Sequence, residues 1–258
     1  MAEEQMRESR RLFAEYGNIP RFTPHTVRFL EGAFELPDVA SFLYQYKSIF
    51  GADSYRFHPV DAAPVIYDCG ANVGASCLYF QRRHPGARIV AYEADPVIFA
   101  YLARNMANNG CACITLRQEA VWVRNEPIRF ACEGADGGCI DGPWDSVTVP
   151  GVRLRDRLAA EPRVDFLKLD IEGAETEVLL DCAETLDRVA NIFVEYHSWN
   201  GQRQTMQDIL GLLEARGFRY YMETICNRPT PFVDTGVDRE KDLQCEIYAV
   251  RRRTEAEG

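Results

Sequence analysis

Apolar and polar positions divide the chain into two regimes. Residues 2–16 read as a charged helix, stopped near Gly17-Asn18 and Pro20. Thr23-Pro24 has the form of a second helix start, with Thr at the N-cap and Pro in the first turn, and Pro37 opens a third helix reaching Phe50. From Pro64 the rhythm changes. Short apolar runs predict strands at 65–67, 88–92 and 114–117, with helices over 75–83 and from Pro96 to about Asn108 between them. Asp95 supplies the N-cap of that second helix and Pro96 its first position.

Residues 121–149 are rich in Gly, Asp and Pro and predict hairpins or a long loop; within them 133–145, with Gly137-Gly138, is the expected mobile lid. The alternation then resumes. A strand at 164–169, a helix over 174–182, a strand at 191–196 and a helix over 204–216 ending at Gly217 follow in turn. Strands at 218–223 and 246–250 close the chain as an antiparallel hairpin around a loop at 227–242. Strands alternating with helices imply parallel βαβ units with right-handed crossovers. The expected fold is therefore α/β and Rossmann-like, a seven-stranded, mostly parallel sheet with helices on both faces. An N-terminal helical cap over 1–60 precedes the main domain at 61–252, and 253–258 read as a disordered tail.

Composition narrows the partners. A formal net charge of −10 repels phosphate backbones, so nucleic acid is disfavoured. The dense basic run at 251–253 reads as a solvated tail. Nine cysteines without a C-x-x-C pair read as reduced thiols, several of them in apolar runs. The first residues lack the apolar core of a signal peptide, and no run has the length of a membrane span. The expectation is a cytoplasmic protein with a small-molecule partner, no nucleic acid and no membrane, with the N-terminal helices available for a homo-oligomer contact.

The chemistry gathers at strand ends. Val-Ile-Tyr-Asp68-Cys-Gly70-Ala71-Asn72-Val-Gly74-Ala-Ser76 is a strand, an acidic residue and a glycine turn leading into a helix. Glycines permit the tight turn and the approach of a ligand to the backbone. A carboxylate just before the loop would repel a diphosphate but suits the ammonium of a methionine moiety, which places Asp68 on such a group. Glu93 ends the next strand about 20 residues past the glycine loop, where an acidic side chain can accept ribose hydroxyls; Ala94 follows it. Glu119, after the third strand, is placed to meet an adenine amino group, with Ala120 or Val121 against the ring. For each of these a plain structural role is the alternative: a strand-to-helix turn, a helix-start carboxylate, a surface glutamate.

The turn from Asp68 to Gly74, the segment Tyr92-Glu93-Ala94-Asp95-Pro96, and Phe166-Leu167-Lys168-Leu169-Asp170-Ile171-Glu172-Gly173-Ala174-Glu175 together resemble the FkbM family of S-adenosylmethionine (SAM)-dependent methyltransferases. The resemblance covers about residues 64–196, and its most specific part is the Leu-Lys-x-Asp-x-Glu-Gly-x-Glu stretch. It implies a class I methyltransferase fold, SAM as cofactor, and O-methylation of a small natural product or sugar.

Asp170 falls at the carboxyl end of the fourth strand, in the crevice where α/β folds bind ligands, and is expected to serve cofactor and acceptor alike. Lys168 shares its face, and a buried lysine needs a carboxylate partner. Glu172 and Glu175 stand on the following turn, where helix capping is the competing role. Glu195 and His197 point to one side of the next strand, at the same edge. His197 has the intrinsic pKa of a general base for a hydroxyl, with Lys168, Glu172 and Glu195 around it. Asp170 and Glu195 could instead share Mg²⁺, but without a clear third ligand no metal is favoured. The aromatics Tyr44, Tyr46, Phe50, Tyr55 and Phe57 are expected either to floor the pocket or to pack.

Rival readings have definite marks. A NAD-dependent dehydrogenase would share Glu93, but Asp68 and the lack of G-x-G-x-x-G oppose it. N-methylation of a small amine is closer, although the Asn/Asp-Pro-Pro-aromatic turn of nucleic-acid amino methyltransferases is replaced here by Asp-Ile-Glu-Gly. A non-catalytic SAM-binding scaffold would keep the cofactor without turnover.

Overall fold

The N-terminal region is less helical than its sequence predicts. In the computed structural model, which describes residues 2–30, 32–140, 142, 144–225, 229–233 and 241–251, helix α1 (Ala2–Tyr16) leads into a hairpin and not into a second helix. The hairpin strands β1 (His25–Phe29) and β2 (Gly32–Leu36) pair antiparallel, with Val27 opposite Phe34 and Phe29 opposite Gly32. Period-two burial explains the outcome: Val27, Phe29, Phe34 and Leu36 all point inward. Pro24 therefore precedes a strand and does not open a helix. Helix α2 (Val39–Tyr46) follows, capped by Asp38, which accepts the Ser41 N–H, and runs on into a π-helical turn at Lys47–Gly51.

The alternating half of the chain then builds the main sheet. Its strands are β3 (Val65–Cys69), β4 (Arg88–Tyr92) and β5 (Thr115–Arg117), followed after an insert by four more. The insert folds into strands of its own, β6 (Ala120–Trp122), β7 (Pro127–Ala131), β8 (Cys139–Ile140) and β9 (Ser146–Arg153), in the order β6-β9-β7-β8. It is thus a small sheet and not a bare loop. The later strands are β10 (Val164–Leu169), β11 (Val189–Trp199), β12 (Phe218–Thr224) and β13 (Lys241–Arg251). The seven-stranded order is β12-β13-β11-β10-β3-β4-β5. Only β13 runs against its neighbours, pairing antiparallel with both β11 and β12, so the sheet is mixed.

Helices α3 (Ala75–Arg83) and α4 (Pro96–Asn108) cover one face, and α5 (Leu154–Ala159), α6 (Glu175–Asp181) and α7 (Met206–Ala215) the other. Asp95 caps α4 through the N–H groups of Val97 and Ile98, as its sequence predicts. Every residue of β10 is buried, the mark of a central strand covered on both faces. The cap docks on the α3/α4 face through a cluster of aromatics in which Phe29 meets Phe34, Phe42, Tyr46 and Phe50 edge-on or tilted. Such contacts add about 0.5–1.5 kcal/mol each to area burial. Tyr46, Phe50, Tyr55 and Phe57 accordingly belong to the core, and Tyr44 and Tyr55 reach a ligand-sized cavity.

Arg251 is not a solvated tail. Its guanidinium donates to the carbonyls of Leu186, Val189 and Arg216 and ties the end of β13 to the α7 face. Arg252, Arg253 and the tail expected at 253–258 lie outside the described residues, as does Cys226; Cys69, Cys77, Cys111, Cys113, Cys132, Cys182 and Cys245 are free thiols. Among the described residues, no helix is long and apolar enough to cross a membrane.

Candidate active site

A cavity of about 620 Å³ opens at the carboxyl ends of β3, β4, β10 and β11. Its size is that of a small-molecule site, and its place is the one where α/β sheets bind ligands. The cap contributes Tyr44 and Ser48, the insert Phe130, Ile140 and the 134–138 segment, and the closing hairpin Glu223 and Glu246. Gly134 takes φ +99, and Ala135 accepts a hydrogen bond from the Asn72 amide, so the insert is fastened to the glycine turn.

One wall is backbone-shaped. After β3 the chain turns through Gly70 at φ +84 and Asn72 at φ +48, and Gly70, Ala71, Asn72 and Ser76 all line the cavity. A Cβ at Gly70 would lie 1.8 Å from the Asp170 carbonyl oxygen, so only glycine fits. Gly74, at φ +96, does not line the cavity; its missing side chain leaves room for Leu102 and Met106 of α4. Glu93 lines the wall with both carboxylate oxygens anchored, Oε2 accepting the Asn72 N–H and Oε1 the Asp95 N–H, each at 2.9 Å. Burial pushes its pKa up to about 7 despite those bonds. Ala94, Glu119, Ala120 and Val121 continue the same wall, and the buried Oε2 of Glu119 has no hydrogen-bond partner.

Asp68 does not reach the cavity. It is fully buried, its Oδ2 accepts the Ser76 hydroxyl at 2.6 Å, and its Oδ1 lies 3.6 Å from the Lys168 ammonium. The register explains this: Asp68 and Lys168 are direct partners on β3 and β10, and the buried lysine takes the nearest carboxylate as counter-charge. The position expected on a ligand ammonium is therefore corrected to a support beneath the turn. Lys168 also donates to the Gly70 carbonyl at 2.8 Å and to Asp170 at 3.1 Å. Burial pulls its ammonium down, yet Asp170 and Asp68 overcome that and raise it, so it stays charged.

The opposite wall is a charge network. Asp170, Glu172 and Glu195 line the cavity with Lys168. His197 does not: its side chain is wholly buried behind them, with Nδ1 3.1 Å from Glu175 and Nε2 3.6 Å and 3.5 Å from Glu172 and Glu195. Burial lowers its pKa, but Glu172 and Glu175 outweigh that and raise it well above the usual value. Its ring lies outside the cavity lining, so it does not stand where the base position expected of it would meet a ligand directly. Glu175, weighed as a capping residue, accepts the N–H groups of Ile171 and Gly173 and fixes the turn. Asp170, Glu172 and His197 can bring one ligand atom each within 4.8 Å of one another. Lys241 already binds Glu172 at 2.6 Å, so one carboxylate of this set carries a cation from the protein itself.

The closing hairpin supplies what the sequence motifs missed. Lys241, Gln244 and Glu246 of β13 and Glu223 of β12 all face the cavity. The register sets Glu195 opposite Glu246, and Glu246 opposite Glu223, so three carboxylates stand abreast on neighbouring strands. A signal did exist: Gln244, Glu246 and Tyr248 alternate with apolar Leu243, Cys245, Ile247 and Ala249. That pattern predicts a strand with one polar face but not that the face lines a ligand cavity.

Residues 68–220 match the methyltransferase FkbM domain. The chain is 32% identical over 222 residues to methyltransferase sdnD of Sordaria araneosa, spanning 67% of this chain and 80% of that one. It is 26% identical over 218 residues to the 31-O-demethyl-FK506 methyltransferase FkbM of Streptomyces tacrolimicus, spanning 70% and 83%. Its fold is similar to that of wild-type Trm5b from Pyrococcus abyssi, with a TM-score of 0.50 and 13% identity over 90% of this chain and 56% of that one, a likeness of fold alone.

Proposed function

The chain belongs to the FkbM family of methyltransferases, and on that premise we propose that it transfers a methyl group from SAM to a hydroxyl of a small molecule. The observation that carries the reading is the single cavity with two unlike walls. The glycine-turn wall fits an adenosine with an attached amino acid: a close backbone approach at Gly70, an anchored carboxylate at Glu93 for ribose hydroxyls, and a Glu119 oxygen that accepts no hydrogen bond, 3.9 Å from Arg157, for an exocyclic amine. Ala120 and Val121 supply the apolar contact for a ring. When bound, SAM supplies an electrophilic methyl group. Asp170, Glu172 and Glu195 then face the space left for the acceptor.

The chain's own residues do three things in this reading. Lys168 locks the glycine turn to the Asp170 strand end, so the two walls keep their spacing. The insert, tied to Asn72, and the cap residues Tyr44 and Ser48 restrict water and orient the acceptor near the methyl group. The carboxylates receive the hydroxyl proton. The acceptor is small and not anionic, because the wall it meets is crowded with carboxylates.

Calorimetric titration of SAM, S-adenosylhomocysteine and NAD tests the cofactor. Micromolar SAM binding with no NAD binding is expected, and tighter NAD binding would sink the reading. Mass spectrometry of a panel of hydroxylated and amino compounds incubated with SAM tests the acceptor. Methylation of hydroxyl compounds is expected; products confined to amines would move the reaction to nitrogen.

A further inference from the structure

We propose that β12 pairs antiparallel with β12 of a second copy of this chain, about a two-fold axis at Tyr221, so that Arg219 of each copy meets Glu223 at the rim of the other's cavity.

The seven-stranded sheet ends in two unlike edges. β5 is three residues long and offers little to pair with. β12 has seven residues, no proline and an unbroken register with β13, and no strand lies beyond it among the described residues. Edge strands are ordinarily blunted by shortness, proline, a bulge or charges that repel a second strand. β12 lacks the first three, and its charges attract a copy of itself. Every residue from Arg219 to Thr224 is exposed, with Tyr221 at 61%.

Backbone parity limits the registers. The Ile225 N–H donates to the Gln244 carbonyl of β13, so the odd-numbered residues of β12 bond inward. Phe218, Tyr220, Met222 and Thr224 therefore present their N–H and C=O groups at the free edge. Two copies meeting there must oppose even-numbered residues with even-numbered ones. Centring the pair on Tyr221 does this over the whole strand. Phe218 then opposes Thr224 and Tyr220 opposes Met222 in hydrogen-bonded pairs. Between them Arg219 opposes Glu223, and Tyr221 opposes itself. Moving the centre by one residue loses two pairings and sets Arg219 against Tyr221 or Ile225. Opposite charges and aromatic contacts placed directly across strands are what stabilise such a pairing.

The faces agree with this register. Phe218 is buried against the α7 side of the sheet, and Tyr220 and Met222 continue that face. Tyr221 lies against Tyr248 on the other face, where Glu223 lines the cavity. Among the described residues no ion pair engages Arg219. Glu223 gives Oε1 to the Tyr221 hydroxyl at 2.7 Å, so Oε2 can accept a guanidinium. Arg219 of the second copy thus supplies a cation at the outer end of the row formed by Glu195, Glu246 and Glu223.

The oligomeric state of the full-length protein, without ligand, tests the pairing. Sedimentation velocity at tens of micromolar is expected to show a dimer. Arg219→Glu and Glu223→Arg each set like charges opposite at two symmetric places, and each should raise the dimer dissociation constant roughly thirtyfold or more. Mixed in equal amounts, the two variants place opposite charges at both positions, and a one-to-one dimer of near wild-type affinity should return. Cysteines check the register. In Tyr221→Cys the Cα atoms stand about 4.5 Å apart across the axis, within disulfide reach, and mild oxidation should link the dimer. In Arg219→Cys they lie about 14 Å apart, so linkage should stay at the wild-type background. A wild-type protein that remains monomeric overturns the proposal. So does a dimer indifferent to both charge reversals, as one built on the N-terminal helices would be. Should a charge variant fail to fold, the cysteines decide: linkage through Arg219→Cys, or none through Tyr221→Cys, overturns it.

Discussion

The glycine-turn wall at β3 and β4 and the carboxylate wall across β10, β11, β13 and β12 face one cavity, yet they keep their shapes by different means. The first is held by backbone. Gly70, Asn72 and Glu93 lie within 24 residues of chain, and the Glu93 carboxylate is fixed by two main-chain N–H groups. The second is held by charge. Glu172, His197 and Lys241 come from three distant segments and meet only because β13 inserts antiparallel beside β11. A wall of the first kind tolerates little change in backbone and much in charge; a wall of the second kind does the reverse.

The sharpest way to break this contrast is at Gly70, where both walls touch. Gly70→Ala would set a Cβ against the Asp170 carbonyl oxygen at φ +84. Left-handed strain alone costs on the order of 1–3 kcal/mol, and the backbone clash adds to it. A loss of about 4 kcal/mol or more is expected by denaturant unfolding. A loss below about 1 kcal/mol would mean that the two walls move apart freely.

A smaller effect separates the walls. Glu93→Ala removes an anchored carboxylate from the first wall only, and a roughly hundredfold loss of SAM affinity by calorimetry is expected. The same group predicts a pH dependence. Its pKa is raised to about 7, and a ribose hydroxyl prefers the ionised form as acceptor. SAM affinity should therefore be nearly full at about pH 8 and above and fall roughly tenfold between pH 8 and pH 6. Stability moves the other way. Because the folded pKa lies above the unfolded one, the unliganded protein gains stability as pH falls from about 7 toward the ordinary glutamate range. Affinity that stays flat across that window would place the ribose elsewhere.

The same contrast explains what was legible from sequence. Asp95 as a cap, Glu93 and Ala94 at a strand end, and the Asp170 turn were readable because each is set by residues near it in the chain. The hairpin β1–β2 was not, because Pro24 mimics a helix start, and the alternation of Val27, Phe29, Phe34 and Leu36 is short. Asp68 was misplaced because nothing local shows that Lys168 lies beside it in register. His197 stands on the expected strand face, but no local pattern shows that Glu172 and Glu195 stand between it and the cavity. Lys241 follows Asp238-Arg239-Glu240, a run that resembles a solvated loop, and only the fold brings it to Glu172.

The smallest expected effect concerns acceptor choice, and it sharpens the account of the second wall. Like charges directly opposite on neighbouring strands are unfavourable, yet Glu195, Glu246 and Glu223 stand in line along the cavity. Burial pushes Glu246 up, with Glu195 and Glu223 adding to the rise, which eases the repulsion without cancelling it. An acceptor with a carboxylate or phosphate at that end would deepen the conflict; a neutral polyol or an ammonium would relieve it. Among hydroxylated acceptors matched in size, turnover of anionic ones should fall roughly tenfold below that of neutral ones at low salt. Glu223 is the exposed end of the row, so Glu223→Gln should narrow the gap only about twofold, and less as salt rises. Equal turnover of anionic and neutral acceptors in the wild-type protein would show that the acceptor never reaches the row, and that the second wall ends at Glu195.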